Sequence, residues 1–391
     1  MLDLAAHLEA LCAVHPDRRP GGPGNEQAVD LVAGVLGGLG WAVECPRFPV
    51  VGWEGSAGTL AIGERTWPLV PSPYGLGWRG TGPLHPVADE DSLAADHAGA
   101  VLLLHGGLAA APLTPKGYPF YGSERDAQIV ARLESCGAHA VLAVTGRAPE
   151  LAGSLDPFPL IEDGAFTVPT GNLPADVGAE VLAAVAGSPG LAASVDLPAR
   201  RWPSTARNVV ARRGDPAGRI TLVAHVDSKP GTPGAVDNAA GVVVLLRVAE
   251  LLRDCSAGVE ILAVNGEDSY AAAGELDYLA ANDLAEVRLA VNIDGAGYRG
   301  GGTAYSGYGL PPDADLSALS GAGLVEGPPW PQSDHMVFAM AGRPAIALTT
   351  TEFAEVMGEV AHSPHDLPAL VDVALLEQAA QGIAALVRTW P

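Results

Sequence analysis

The sequence predicts an α/β protein: a mostly parallel central sheet flanked by helices, with a smaller α/β or β-rich domain inserted into it. Three observations carry this reading. From residue 203 onward the apolar runs ITLVAH, VEILAVNGED, RLAVNID and PAIALTT alternate with the helical stretches GVVVLLRVAELLRD, GELDYLAAND and VALLEQAAQGIAALVRTW. Continuous apolar strands of that kind belong to a sheet covered on both faces. Residues 51–202 have a different texture, rich in Pro and Gly, and the 391 residues are enough for two domains.

The elements follow in chain order. MLDLAAHLEALCAVHPD reads as an amphipathic helix, HPDRRPGGPGNEQA as a loop, residues 25–38 as a second helix and WAVECPRF as a strand. In the inserted segment AGAVLLLHG and AHAVLAVTG are short strands, ERDAQIVARLESCG is a helix, and FTVPTGNLPADVGAEVLAAVAG is strand, turn and helix. The expected division is therefore 1–50 plus 203–391 for one domain and 51–202 for the insert. The chain end carries acids early and lacks the basic-then-apolar layout of a signal peptide, so the cytoplasm is the expected location.

Composition excludes several classes. A net charge of −23 argues against nucleic acid and against anionic membranes, which need clustered Lys and Arg. No charge-free apolar stretch reaches the roughly 18 residues of a membrane-spanning helix. Cys12, Cys45, Cys136 and Cys255 are widely spaced and form no C-x-x-C pair, as expected of reduced packing residues.

Ligands of an open parallel sheet bind beyond the carboxyl ends of its strands, and polar residues collect there. ITLVAH ends at His225, with Asp227 just past it and Asp237 opening the next helix. VEILAVNG leads to Glu267 and Asp268, LAVNI to Asp294, and the stretch after PAIALTT to His362, His365 and Asp366. Taken singly, each has an ordinary explanation: Asp237 a helix cap, Asp294 a turn residue, His362 a solvated loop histidine. Crowded at one sheet edge, unpaired carboxylates would repel one another, and a cation resolves that conflict. Imidazoles together with acids suit two zinc ions bridged by one carboxylate, the set of a dinuclear hydrolase.

H-x-D at 225–227, D-N at 237–238, N-G-E-D at 265–268, N-I-D at 292–294, S-D-H at 333–335 and H-S-P-H-D at 362–366 together resemble the M28 family of zinc aminopeptidases. The order and spacing agree across 205–391, and the early RRPGGPGNEQA also looks familial. The resemblance implies a zinc exopeptidase-like fold and two zincs per chain. His225 and Asp294 would hold one zinc, Asp268 and His362 the other, with Asp237 bridging. Glu267 would be the general base that activates water, and Asp227 would orient His225 through its ring N–H. Ser333 and Asp334 would line or support the cleft, with a structural role for His335. The implied substrate is a short peptide with a free amino terminus. Residues 51–202 are similar to a protease-associated domain.

This chain departs from the family pattern at Asp268, often a Glu, and at Ala361, where some members carry a Tyr before the last histidine. Tyr298, Tyr305 or Tyr308 could supply an oxyanion-assisting hydroxyl in its place. The same scaffold also supports carboxypeptidase, amino-terminal glutamine cyclase and small-molecule amidase chemistry, or a non-catalytic binding role.

Overall fold

The structure is a computed structural model that describes residues 1–186, 190–215 and 218–391. The chain divides into two compact units, Met1–Val50 with Thr205–Pro391, and Val51–Ser204.

Among the described residues, the first unit is built on a sheet of eight strands. In chain order these are β1 (Ala42–Glu44), β2 (Val209–Arg213), β3 (Arg219–His225), β4 (Val259–Val264), β5 (Val287–Ile293), β6 (Thr303–Tyr308), β7 (Val325–Glu326) and β8 (Ala345–Thr350). Their spatial order is β1-β2-β4-β3-β5-β8-β6-β7. The central block β4-β3-β5-β8 is parallel throughout, with His225 beside Val264 and Asn292 beside both Val223 and Ala347. Antiparallel pairings flank it: β1 on β2, β2 on β4, and β6 on β8. Strands β2, β6 and β7 were not anticipated. They alternate less cleanly and lie outside the block whose continuous burial marks a strand in sequence.

Every residue of β3, β4 and β8 is buried, as strands covered on both faces must be. Helices α1 (Leu4–Cys12), α2 (Pro23–Gly38), α3 (Ala240–Leu251), α4 (Ala273–Ala281), α5 (His335–Met340) and α6 (Val373–Thr389) accompany the sheet. Asp3 caps α1 and Asp372 caps α6, each accepting a bond from a first-turn amide, while Pro23 starts α2. Residues Ala240–Ala249 of α3 are all buried, so this helix runs through the core with Leu222, Val291, Ile383 and Val387. Burying such side chains stabilises the unit by roughly 1.5–3 kcal/mol each.

The chain order places a crossover point at the centre of the sheet. From β3 it moves outward to β4, then returns to β5 on the other side of β3, and reaches β8 beside β5 only after β6 and β7. Adjacent strands whose connections diverge leave a crevice beyond their carboxyl ends. His225 ends β3 and Asp294 follows β5 at that crevice.

The second unit is a closed barrel whose strands run in the order Gly58–Ile62, Arg65–Pro71, Thr170–Pro174, Ala140–Thr145, Val101–Leu104, Trp78–Val87 and Ala192–Leu197. Helices Glu124–Ser135 and Ala175–Val185 accompany it. The helix expected near 175–187 follows its strand directly, without the expected turn, and Gly187 lies outside the described residues. Among the described residues no helix is long and apolar enough to cross a membrane.

Candidate metal centre

The loop after β3 sets the site. Asp237 was expected to open the following helix, but its backbone (φ −119°, ψ 88°) is not helical, and α3 begins only at Ala240. Asn238 does the capping: its Oδ1 accepts from the Gly241 amide at 3.0 Å, and its Nδ2 donates to the Ile293 carbonyl at 2.8 Å. The Asp237 carboxylate is thereby free of the helix terminus.

It faces two histidines. Its Oδ1 lies 3.2 Å from His225 Nε2 and its Oδ2 lies 3.1 Å from His362 Nε2. Asp294 Oδ1 is 3.6 Å from His225 Nε2, and Asp268 Oδ1 is 3.1 Å from His362 Nε2. Two triads result, His225–Asp237–Asp294 and Asp237–Asp268–His362, each with its ligand atoms within 4.8 Å of one another. Donors around a tetrahedral zinc at 2.0–2.1 Å stand about 3.3 Å apart, so these separations fit the ion. His225 Nε2 is buried and makes no hydrogen bond, although carboxylate oxygens surround it. That is the disposition of a nitrogen meant for a cation.

Electrostatics point the same way. Burial would depress the protonation of both imidazoles, yet Asp227, Asp237 and Asp294 push His225 well above its ordinary range. Asp268 and Asp237 do the same to His362. Burial raises Asp237, but the two imidazoles override it and hold this carboxyl far below the usual carboxylate range. Without a metal the cluster gathers protons, and a cation would take their place.

Glu267 stands beside this set, its Oε2 3.9 Å from His225 Nε2 and its side chain 22% exposed. Burial raises its pKa well above the carboxylate range, His225 opposes that, and Asp294 and Asp268 reinforce it. The place of Glu267 beside both ligand triads suits a group that exchanges a proton with a reacting water.

The surrounding shell differs in part from expectation. Asp227 was expected to accept the ring N–H of His225, and its main-chain carbonyl lies 3.3 Å from His225 Nδ1, with Oδ1 at 3.7 Å. The carboxylate accepts the amides of Gly266 at 2.8 Å and Asp268 at 3.1 Å, fixing the turn that bears Glu267. This follows from geometry: an Asp two residues past a strand end reaches across to the neighbouring strand's loop more easily than back to its own strand. Asp366 likewise serves the backbone, accepting from Val236 N at 2.7 Å and Asp237 N at 3.0 Å.

Ser333, in the left-handed region at φ 83°, donates to Asp294 Oδ2 at 2.6 Å and accepts from Asn292 Nδ2 at 2.8 Å. His362 also has positive φ, 61°. Such backbone strain in non-glycine residues collects at functional sites. Burial lowers the His335 pKa to about 4, so this ring is neutral. Its Nε2 lies 3.1 Å from the Trp330 carbonyl and its Nδ1 3.4 Å from Asn292 Nδ2, a packed structural residue. Asp334 is buried with both oxygens unpartnered, and burial with nearby Glu275 raises its pKa well above the carboxylate range. Of the candidate hydroxyls, Tyr298 donates to Glu355 at 2.6 Å, while Tyr308 bonds to Trp330.

Sequence reasoning missed Asn238 as the cap and gave no role to Asn25. The Asn25 side chain exchanges amide bonds of 2.9 and 2.7 Å with Asn265, two residues before Glu267.

The chain is similar in sequence and in fold to known proteins. Residues 208–387 match the model of peptidase family M28. A probable lipoprotein aminopeptidase, LpqL of Mycobacterium tuberculosis, is 26% identical over 287 residues, 71% of this chain and 54% of that protein. The chain thus spans about half the length of this curated relative. The structure is similar to an aminopeptidase from Aneurinibacillus sp. strain AM-1, with TM-score 0.73 and 20% identity over 98% of this chain and 92% of that one. It is also similar to BSAP, a zinc aminopeptidase from Bacillus subtilis, with TM-score 0.73 and 20% identity over 98% and 93%. At these identities the structural likeness concerns the fold.

Proposed function

We propose that this chain, whose residues 208–387 match the model of peptidase family M28, is a metallopeptidase of that family and a dizinc aminopeptidase acting on short peptides with a free amino terminus. The observation that carries the reading is the Asp237 carboxylate, whose two oxygens face different histidines. His225 and Asp294 would hold one zinc, Asp268 and His362 the other, and Asp237 both. When bound, the pair would lower the pKa of water and polarise the scissile carbonyl.

The chain's own groups do the rest. Glu267, whose Oε2 lies 3.9 Å from His225 Nε2, takes a proton from the attacking water and passes it to the leaving amine. Asp227 holds the Gly266 and Asp268 amides, so Glu267 keeps its distance from the ligand set. The substrate's free α-amine would sit against the ligand set and its nearby carboxylates, which restricts cleavage to the terminal residue. We assign the Val51–Ser204 unit as protease-associated-like, on the order of its strands and helices.

Metal analysis with a substrate panel tests this. The expected result is two zincs per chain, release of amino acids from aminoacyl anilides, and no action on amino-blocked analogues. Glu267→Ala should keep its zinc while turnover drops about 10²–10⁴-fold. Full activity in that variant, or equal cleavage of blocked substrates, would sink the reading.

A further inference from the structure

The loop that carries Asp237 is gripped by a side chain more than two hundred residues away in sequence. Arg18 is 1% exposed. Its Nε donates to the Val226 carbonyl at 2.8 Å, its Nη1 to Pro233 at 2.5 Å and Leu11 at 3.3 Å, and its Nη2 to Gly234 at 2.7 Å. Val226 adjoins His225, and Gly234 lies three residues before Asp237. One planar group therefore ties together both ends of the loop that joins two proposed zinc ligands.

The neighbours of Arg18 share the task. Asp17 Oδ2 accepts from the Gly231 amide at 2.8 Å in the middle of the same loop. The Arg18 carbonyl accepts from Asn25 Nδ2 at 2.6 Å, and Asn25 is paired with Asn265 beside Glu267. Gly234 has φ 59°, and a Cβ there would come within 2.4 Å of the Asp237 carbonyl and 2.7 Å of Arg18 Nη2. The guanidinium fills the space a side chain would need.

Burying a guanidinium is costly, and apolar residues fill a core at least as well. What Arg alone supplies is a rigid fork of donors at fixed separation. We propose that Arg18 is a positioning residue, whose fork fixes the main chain at Val226, Pro233 and Gly234 and so keeps the two Asp237 oxygens aimed at His225 and His362. This rests on the dizinc reading above.

The test compares the wild-type chain with Arg18→Lys, which keeps charge without the fork, and Arg18→Gln, which keeps a planar amide without the charge. Three quantities are measured: melting of the chelator-treated protein, zinc affinity by competition with a chromophoric chelator, and kcat and KM on an aminoacyl anilide. Both variants should unfold cooperatively without metal, bind zinc about 10–100-fold more weakly at both positions, and lose kcat with KM little moved. A residue that merely filled the core would lower the metal-free melting point and leave zinc affinity alone. Wild-type zinc affinity in Arg18→Lys would overturn the role, and so would a lysine variant unable to fold without metal. A wild-type chain that takes up no zinc would overturn the dizinc reading together with it, whereas two zincs in the wild type and unchanged affinity in the variants would remove Arg18 alone.

Discussion

Ser333 shows what one hydroxyl contributes. It donates at 2.6 Å to the Asp294 oxygen that points away from His225, and Asn292 holds it from behind. Without that bond the Asp294 carboxylate can rotate, and its alternative acceptor geometry no longer faces the histidine. Ser333→Ala should therefore weaken zinc binding at the His225–Asp237–Asp294 triad about 10–100-fold and leave the other triad near its original affinity. Stepwise chelator competition would resolve the two, and equal loss at both positions would count against the assignment. The residues that bear chemistry were legible as a set, gathered after the apolar runs, although each taken singly had an ordinary explanation. Their partners were not: an Asp–amide bond between neighbouring strand loops, such as Asp227 to Gly266, joins positions that sequence spacing cannot relate.

Secondary-structure elements are held by a second charged cluster, within the sheet itself. Glu260 of β4 is fully buried, and it accepts from Arg212 Nε at 2.7 Å, Arg219 Nε at 3.3 Å, Thr221 Oγ1 at 3.1 Å and the Tyr278 hydroxyl. It joins β2, β3 and α4 through one carboxylate. Removing it takes one partner from each of two guanidinium groups, while Glu286 still faces Arg219 and Glu44 still faces Arg212, so Glu260→Ala should destabilise this unit by about 1–3 kcal/mol. Denaturant melts of the metal-free protein would measure this, and a loss below about 1 kcal/mol would mean that water replaces the carboxylate. The central strands β3, β4, β5 and β8 were readable as elements because burial on both faces leaves an unbroken apolar run. Strands β2 and β6, each one place in from a sheet edge, were not, since their partly exposed ends admit Arg, Gly and Tyr and break the apolar run.

At the scale of the whole molecule, the buried acids link stability to pH and metal. Burial lifts Glu275 from its ordinary 4.5 to about 8, helped by Asp227, and lifts Asp366 from 3.8 to about 7, helped by Asp237. Between about pH 4.5 and 8 the metal-free folded chain holds protons that the unfolded chain has released, so stability falls as pH rises through that window. The raised histidines act with the same sign: their contribution is complete below the ordinary 6.5 and is lost as pH climbs through their folded values. Asp237, held far down, titrates below the window and leaves the slope unchanged. Chelator-treated protein should melt higher near pH 5 than near pH 8, and added zinc should raise the melting point more at pH 8. A metal-free form most stable at pH 8 would contradict this account. The sequence by itself determined the parallel core, the change of texture near residue 51 and the set of His and acidic residues at strand ends. Those features are local, because burial on two faces forces apolar runs and ligand chemistry forces residue types. Only the tertiary structure decided that Asp237 turns an oxygen to each histidine, that Asp227 and Asp366 serve backbone amides, and that Arg18 spans the loop. These are matters of distance between segments far apart in the chain, and a linear pattern holds no record of which loops meet.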